Sequence, residues 1–171
     1  MKPLRTKHLV TGALIAALYA GLTYFSAIWG LAYGPLQLRV SEALTILPIL
    51  TPAAIPGLII GCFIGNLGSP YGLADILFGT FATALAAIFT RLSRNIRIKN
   101  VPFISPLGPV IFNALIIGAE IIFFMGRDAG FTAFLVAAGW VGLSELIVCY
   151  ALGLPLGLAL EKNNILAKTG L

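Results

Sequence analysis

The sequence predicts an all-α integral membrane protein, a single domain over residues 1–171 built as a bundle of six transmembrane helices, with both termini cytoplasmic and helices 2 and 3 short. Three observations carry this expectation. Hydrophobic residues make up 59% of the chain and charged residues 10%, where a soluble domain keeps about a quarter of its residues charged. Residues 9–38 and 101–119 contain no Asp, Glu, Lys or Arg, and runs longer than about 18 apolar residues mark membrane spans. Lys and Arg are also spread unevenly over the connecting segments, which orients the spans because cytoplasmic loops collect them.

Span 1 covers about 9–29. Lys2, Arg5 and Lys7 precede it as they would precede a signal peptide. The apolar run is too long for a signal h-region, however, and lacks a clear small-residue cleavage site, so it reads as a helix with its N-terminus inside. Ala13-xxx-Ala17 and Ala16-xxx-Ala20 give it a flat face. In the loop that follows, Leu36-Gln37-Leu38-Arg39-Val40-Ser41 alternates apolar with polar. That short period-two pattern reads either as a lid over a cavity mouth, with Arg39 or Gln37 facing in, or as an exposed loop.

Spans 2 and 3, at 42–51 and 55–67, are separated by a Pro-containing break at 51–56. Neither reaches the ~20 residues of a full crossing, so both are expected to be tilted or partly re-entrant, with their broken ends shielded by protein. Gly57, Gly61 and Gly65 recur every four residues, a face that lets a neighbouring backbone approach closely. After the turn at 68–72, span 4 covers 73–92, span 5 103–125 and span 6 131–160. Reading 42–67 as one interrupted helix would leave five spans, and charge decides between the two. With six, both termini and the 91–100 loop share a side holding nine Lys and Arg, against Arg39 and Arg127 opposite; with five, the best split is seven against four.

On this topology Glu42 and Asp75 begin spans 2 and 4 from the outer side, and Arg127 and Asp128 lie in an outer loop. Glu120 sits five residues below the outer end of span 5, about 7–8 Å at 1.5 Å per residue. Glu145 lies near the middle of span 6. Outer and intramembrane groups sum to −3 and cytoplasmic ones to +8, which together give the net +5 of the chain. A carboxylate in hydrocarbon costs a few kcal/mol, so Glu120 and Glu145 require partners or a wet cavity. They are candidates for solute binding, against the structural reading that each bonds a neighbouring helix. Asp75 also suits a helix start. Asn113 shares a face of span 5 with Glu120, and Trp140 and Ser144 accompany Glu145. Asn66 completes a polar ring if span 3 runs outward from its break.

Catalytic signatures are absent. No lysine follows a glycine, so there is no Walker A motif, and neither HExxH nor GxSxG occurs. Nothing supplies a nucleophile or electrophile beside the acids, so no enzyme activity, cofactor or metal is expected. Cys62 and Cys149 have no metal-ligand spacing and read as small hydrophobes, and His8 lies in the basic N-terminal stretch. The basic loop (Arg91, Arg94, Arg97, Lys99) has no interleaved aromatics. It suits anionic lipid or a protein partner rather than nucleic acid.

One segment is distinctive: Leu38-Arg39-Val40-Ser41-Glu42-Ala43-Leu44-Thr45-Ile46-Leu47-Pro48, followed by Thr51-Pro52-Ala53-Ala54-Ile55-Pro56-Gly57, Gly61-Cys62 and Asn66-Leu67. With Asp75-Ile76-Leu77-Phe78-Gly79, Phe112-Asn113-Ala114-Leu115-Ile116 and Glu120, it resembles the QueT family over nearly the whole chain. Members of that family are substrate-binding S components of energy-coupling factor (ECF) transporters, assigned to uptake of queuosine precursors. The resemblance implies six helices in a bacterial plasma membrane, a site in the outer half, and partners in the form of a transmembrane coupling subunit and two ATPases. Ala13 and Ala17 match the docking pattern for the coupling subunit. The implied substrate is a 7-deazaguanine base, bound among Arg39, Glu42, Asn66, Asp75, Asn113, Glu120, Trp140 and Glu145. One carboxylate would answer its 2-amino and ring N–H edge, an Asn or Arg39 its carbonyl, and Trp140 its ring plane. An aminomethyl form adds a cation that the outer −3 favours. Two other readings stay open: a small stand-alone secondary transporter using Glu120 or Glu145 as a proton carrier, and a membrane enzyme or purely structural partner.

Overall fold

The computed structural model describes residues 3–34, 36–125 and 130–163. Among these the fold is helical throughout: α1 (Pro3–Ile28), a 3₁₀ helix (Val40–Ile49), α2 (Ala54–Asn66), α3 (Leu73–Leu92), α4 (Leu107–Met125), α5 (Phe131–Val148), a π turn (Cys149–Gly153) and α6 (Leu154–Lys162). A further short 3₁₀ turn, Ser93–Asn95, follows α3. Three helical stretches are long and apolar enough to cross a membrane: Thr6–Ile28, Leu73–Asn95 and Phe131–Lys162. Leu14, Leu18, Phe25, Phe81, Ile88, Leu115 and Leu135 all point outward, an apolar coat that suits lipid and not water. The protein is therefore a membrane protein. Arg127 and Asp128, expected in an outer loop, lie outside the described residues, as do Lys2 and Lys168.

The short second span is where local chemistry shapes the fold. Pro48 cannot donate to the preceding turn, and the segment winds as 3₁₀ instead of α. A 3₁₀ helix rises about 2.0 Å per residue, so ten residues cover roughly 20 Å, as far as the thirteen of α2 at 1.5 Å. Eight of its ten residues are buried, and it packs against α1, α2, α3, α5, α6, the π turn and the Ser93–Asn95 turn. This short helix is the axis of the bundle. Its last carbonyls, on Pro48 and Ile49, accept from Arg91 Nη1 at 3.0 and 3.4 Å. That contact places its C-terminal end beside the basic end of α3. Arg97 reaches Glu161 with two hydrogen bonds, Nη1 to Oε2 at 3.1 Å and Nη2 to Oε1 at 2.5 Å, so α6 ends there as well. The pairing raises the affinity of the Arg97 guanidinium for its proton.

The period-two stretch does not form a strand. Its alternation is one of burial: Gln37, Arg39 and Ser41 turn inward while Leu36 is exposed. Span 5 also starts later than the sequence indicates, at Leu107, because Pro102 and Pro106 hold the preceding residues in turns.

The glycine ladder of α2 packs against α1 as the small-residue spacing predicts. A Cβ on Gly61 would lie 2.8 Å from both the Ala16 carbonyl oxygen and Tyr19 Cβ. Gly61→Val is thus expected to destabilise the fold by about 1–3 kcal/mol, measured by denaturant unfolding in micelles. Gly21→Ala, with nothing within 4 Å, serves as the silent control. The two alanine pairs of α1 separate: Ala16 and Ala20 are buried against the bundle, while Ala13 and Ala17 face out.

Candidate functional site

At the end of the bundle opposite the basic loop, helices that are otherwise apolar turn polar groups toward one another. On α1 these are Tyr19, Thr23 and Ser26, spaced four and three apart and therefore on one face. Ser26 Oγ accepts the Val40 N–H at 3.1 Å, and Thr23 Oγ1 donates to Ser41 Oγ at 2.8 Å. These bonds pin the entry to the 3₁₀ helix, and with it the two charges that follow.

Arg39 is the centre of the arrangement. Only 1% exposed, it donates from Nη1 to Asn66 Oδ1 at 2.9 Å and places Nη2 3.8 Å from Glu42 Oε1. The Tyr19 hydroxyl donates to that same Glu42 oxygen. Asn66 Nδ2 donates to the Asp75 carbonyl oxygen at 2.9 Å, joining the end of α2 to the start of α3. Gly79 makes room for it: a Cβ there would stand 2.4 Å from Asn66 Nδ2.

A second branch runs from Glu42 to α4 and α5. The Glu42 carbonyl accepts from Thr45 Oγ1 at 2.5 Å and from Cys149 Sγ at 3.7 Å. Cys149 Sγ also lies 3.6 Å from Glu145 Oε2, and Asn113 Nδ2 donates to Glu145 Oε1 at 2.8 Å. Ser144 Oγ accepts the Gln37 N–H at 3.3 Å, tying the inward-turned loop to α5. The chain of contacts thus extends from Asn113 through Glu145, Glu42 and Arg39 to Asn66 and Asp75. Glu120 stands within electrostatic reach of Asp75 and Arg39.

Most informative are the atoms left over. Gln37 Oε1, Arg39 Nε, Glu42 Oε2, Asp75 Oδ2, Asn113 Oδ1 and both Glu120 carboxylate oxygens are buried without a hydrogen-bond partner. Thr80 Oγ1 is a further such atom. Buried polar groups are nearly always bonded, and each unmet one costs about 1–3 kcal/mol. Setting the threonine aside, one orphan is a donor and six are acceptors. The arrangement calls for a solute with several N–H groups and one strong acceptor.

A family model described as QueT transporter matches residues 9–162, which takes in every residue of this network. The chain belongs to the QueT transporter family. That family, to which this QueT chain belongs, is one of transporters, not enzymes. The queuosine precursor transporter QueT of Lactococcus lactis subsp. cremoris (strain MG1363) is 37% identical over 83 residues, 48% of each chain. The chain thus spans about half the length of the curated relative it matches. No solved structure matches it.

Of the eight binding residues expected in this QueT chain, the structure gathers seven: Arg39, Glu42, Asn66, Asp75, Asn113, Glu120 and Glu145, all buried. Trp140 is a correction. It is 50% exposed on the outer surface of α5, at the border of the buried stripe Ala137, Val141, Ser144, Glu145 and Val148, and its broad ring swings toward lipid. Only its carbonyl meets the interior, accepting from Ser144 Oγ at 2.9 Å. The cysteines are unpaired and buried, but they are more than apolar filling: Cys62 Sγ accepts from Thr83 Oγ1 at 3.2 Å and lies 3.4 Å from Asn66 Nδ2. Tyr19 and Thr23 join the network beyond the expected residues, although the polar stripe of α1 is readable at its i, i+4, i+7 spacing, and Gln37 faces in, as one reading of its loop has it. On the surface between α1 and α2, Ala13 and Ala17 border a groove of about 440 Å³, lined also by Gly12, Ala16, Gly57 and Ile60.

Proposed function

We propose that this chain is the substrate-binding subunit of an ECF-type importer. It captures a queuosine precursor, a 7-deazaguanine base, at the outer face of the bacterial plasma membrane. A coupling subunit and two ATPases then drive delivery. The observation that carries this reading is the set of unpartnered atoms, one donor among six acceptors. A 7-deazaguanine offers one carbonyl for Arg39 Nε. Its ring N–H and 2-amino group supply donors for Glu42 Oε2 and Asn113 Oδ1. The printed name of the Lactococcus relative supports the same substrate class. The excess of Lys and Arg at the opposite end supports a multi-pass chain with that end, and both termini, in the cytoplasm.

Calorimetric titration of the purified chain with a panel of 7-deazaguanines tests the substrate. Saturable one-to-one binding is expected, and a flat titration across the panel would sink the reading.

The groove beside Ala13 and Ala17 suits a helix of the coupling subunit, because small side chains let backbones approach closely. Ala13→Leu or Ala17→Leu is expected to abolish uptake in cells while binding by the purified chain stays within about threefold, since the groove and the polar network share no residue. A fall in binding equal to the fall in uptake would assign this face to the internal packing of the bundle.

A further inference from the structure

Two side chains in the network have one end held by the protein and the other end left over. Glu42 receives the Tyr19 hydroxyl on Oε1, and its Oε2 is unpartnered. Asn113 donates from Nδ2 to Glu145 Oε1 at 2.8 Å, and its Oδ1 is unpartnered. Asn66, by contrast, is engaged at both ends, by Arg39 Nη1 and by the Asp75 carbonyl. Glu145 is engaged at both ends too, with Asn113 on Oε1 and Cys149 Sγ 3.6 Å from Oε2. It is fully buried and keeps no oxygen spare for a solute.

What Glu145 does is turn Asn113. The oxygen and NH2 of an amide exchange places on a half rotation, so its shape alone does not fix which end is presented. An ionised carboxylate accepts and never donates, so the end of Asn113 facing Glu145 is the NH2 and the end left over is the oxygen. The helices carrying the pair are packed closely beside it: a Cβ on Gly142 would lie 3.2 Å from Ala114 Cβ, and one on Gly118 2.9 Å from Ala138 Cα. The edge of a guanine presents, in order, a carbonyl, a ring N–H and a 2-amino group. Along the chain of contacts the leftover atoms follow the same order. Arg39 Nε comes first, then Oε2 of Glu42, whose other oxygen is 3.8 Å from Arg39 Nη2, and then Asn113 Oδ1 beyond Glu145.

We infer that Glu145 is a positioning residue that never touches the solute and, by fixing the Asn113 amide, makes the protein select bases carrying a 2-amino group. This rests on the deazaguanine reading above and names what discriminates at that corner of the base. A 2-oxo base sets an acceptor against Asn113 Oδ1. The amide cannot turn its NH2 toward that acceptor without presenting its own oxygen to the Glu145 carboxylate. Glutamine in place of Glu145 lifts the constraint, because its amide donates as readily as it accepts.

The test is calorimetric titration of the full chain in micelles with 7-deazaguanine, its 2-oxo counterpart 7-deazaxanthine, and 7-deazahypoxanthine, which has only hydrogen there. Wild-type protein is expected to favour 7-deazaguanine over 7-deazaxanthine by at least about tenfold, the scale of one buried polar group left unmet. Glu145→Gln is expected to reduce that preference to below about threefold, while affinity for 7-deazahypoxanthine stays within about threefold and reports an intact fold. Asn113→Ala is expected to lose the preference as well. Adding Glu145→Gln to it is expected to change nothing further, since residues that act as a unit are not additive. A Glu145→Gln variant that keeps the preference, or weakens all three bases alike, would overturn the inference. Additive losses in the double variant would put Glu145 on the solute itself and overturn it too. Equal wild-type affinity for 7-deazaguanine and 7-deazaxanthine would overturn it and leave the deazaguanine reading standing. Failure of wild type to bind any of the three would overturn the substrate reading, and this inference with it.

Discussion

Arg39→Met is expected to lower affinity for a 7-deazaguanine by at least about a hundredfold and to lower thermal stability in the same preparation. Two separate losses combine. Among the described residues, and with Thr80 set aside, Arg39 Nε is the unpartnered donor set against six acceptors, so its removal leaves the base carbonyl unmet. The guanidinium also holds Asn66 Oδ1 and one oxygen of Glu42, both at sites about 1% exposed. Breaking a buried ion pair from one side commonly costs about 3–5 kcal/mol, because the remaining charge has no solvent to turn to. Arg39→Lys separates the two losses: it restores a charge beside Glu42 but cannot reproduce a planar fork that donates from Nε and Nη together. Lysine should therefore recover much of the stability and little of the affinity. Titration beside thermal unfolding reads both, and binding by Arg39→Met within about threefold of wild type would remove Arg39 from the site.

Liposomes containing the chain alone, under an imposed proton gradient, are expected to accumulate no base. Co-reconstitution with a coupling subunit and two ATPases, given ATP, is expected to restore uptake. The chain has no Walker A lysine with which to use ATP itself. Its buried carboxylates are also better suited to holding a solute than to relaying protons. Glu145 is bonded by Asn113 and approached by Cys149, and the contacts run on through Glu42 and Arg39 to Asn66 and Asp75, at the end away from the basic loop. Gradient-driven uptake by the chain alone would revive the stand-alone transporter, with Glu120, free at both oxygens, as its proton carrier.

Much of this was legible in the sequence. Charge-free runs and the Lys and Arg asymmetry delimit the helices because hydrocarbon penalises charge wherever it falls. The same penalty makes Glu42, Asp75, Glu120 and Glu145 conspicuous. Less legible is anything set by helix type. Val40–Ile49 has a periodicity too short to separate 3₁₀ from α, and its winding follows from Pro48 and from the seven elements packed around it. The π turn carries no signal in Cys149–Gly153 itself. Trp140 misled for a simpler reason. It stands four residues before Ser144, yet a position at the margin of a stripe can send its backbone inward and its ring outward. Tyr19 carries no such signal, because one hydroxyl in an apolar helix resembles an interfacial tyrosine and only the fold brings Glu42 beside it.

The π turn also makes the final helix two helices sharing a backbone. Each turn of a π segment holds more residues than an α turn, so Cys149–Gly153 acts as an inserted spacer between two angular settings. On one side of it Ser144 and Glu145 are aimed into the network; on the other, Gly157 packs on Ile46 and Glu161 meets Arg97. Deleting one residue from the spacer would rotate everything beyond it by about 100°, at 3.6 residues per turn. Glu161 would then leave Arg97, and Gly157 would leave the 3₁₀ axis, while Ser144 and Glu145 on the near side keep their setting. Within these five residues, therefore, only a change that preserves their number keeps both halves facing their partners.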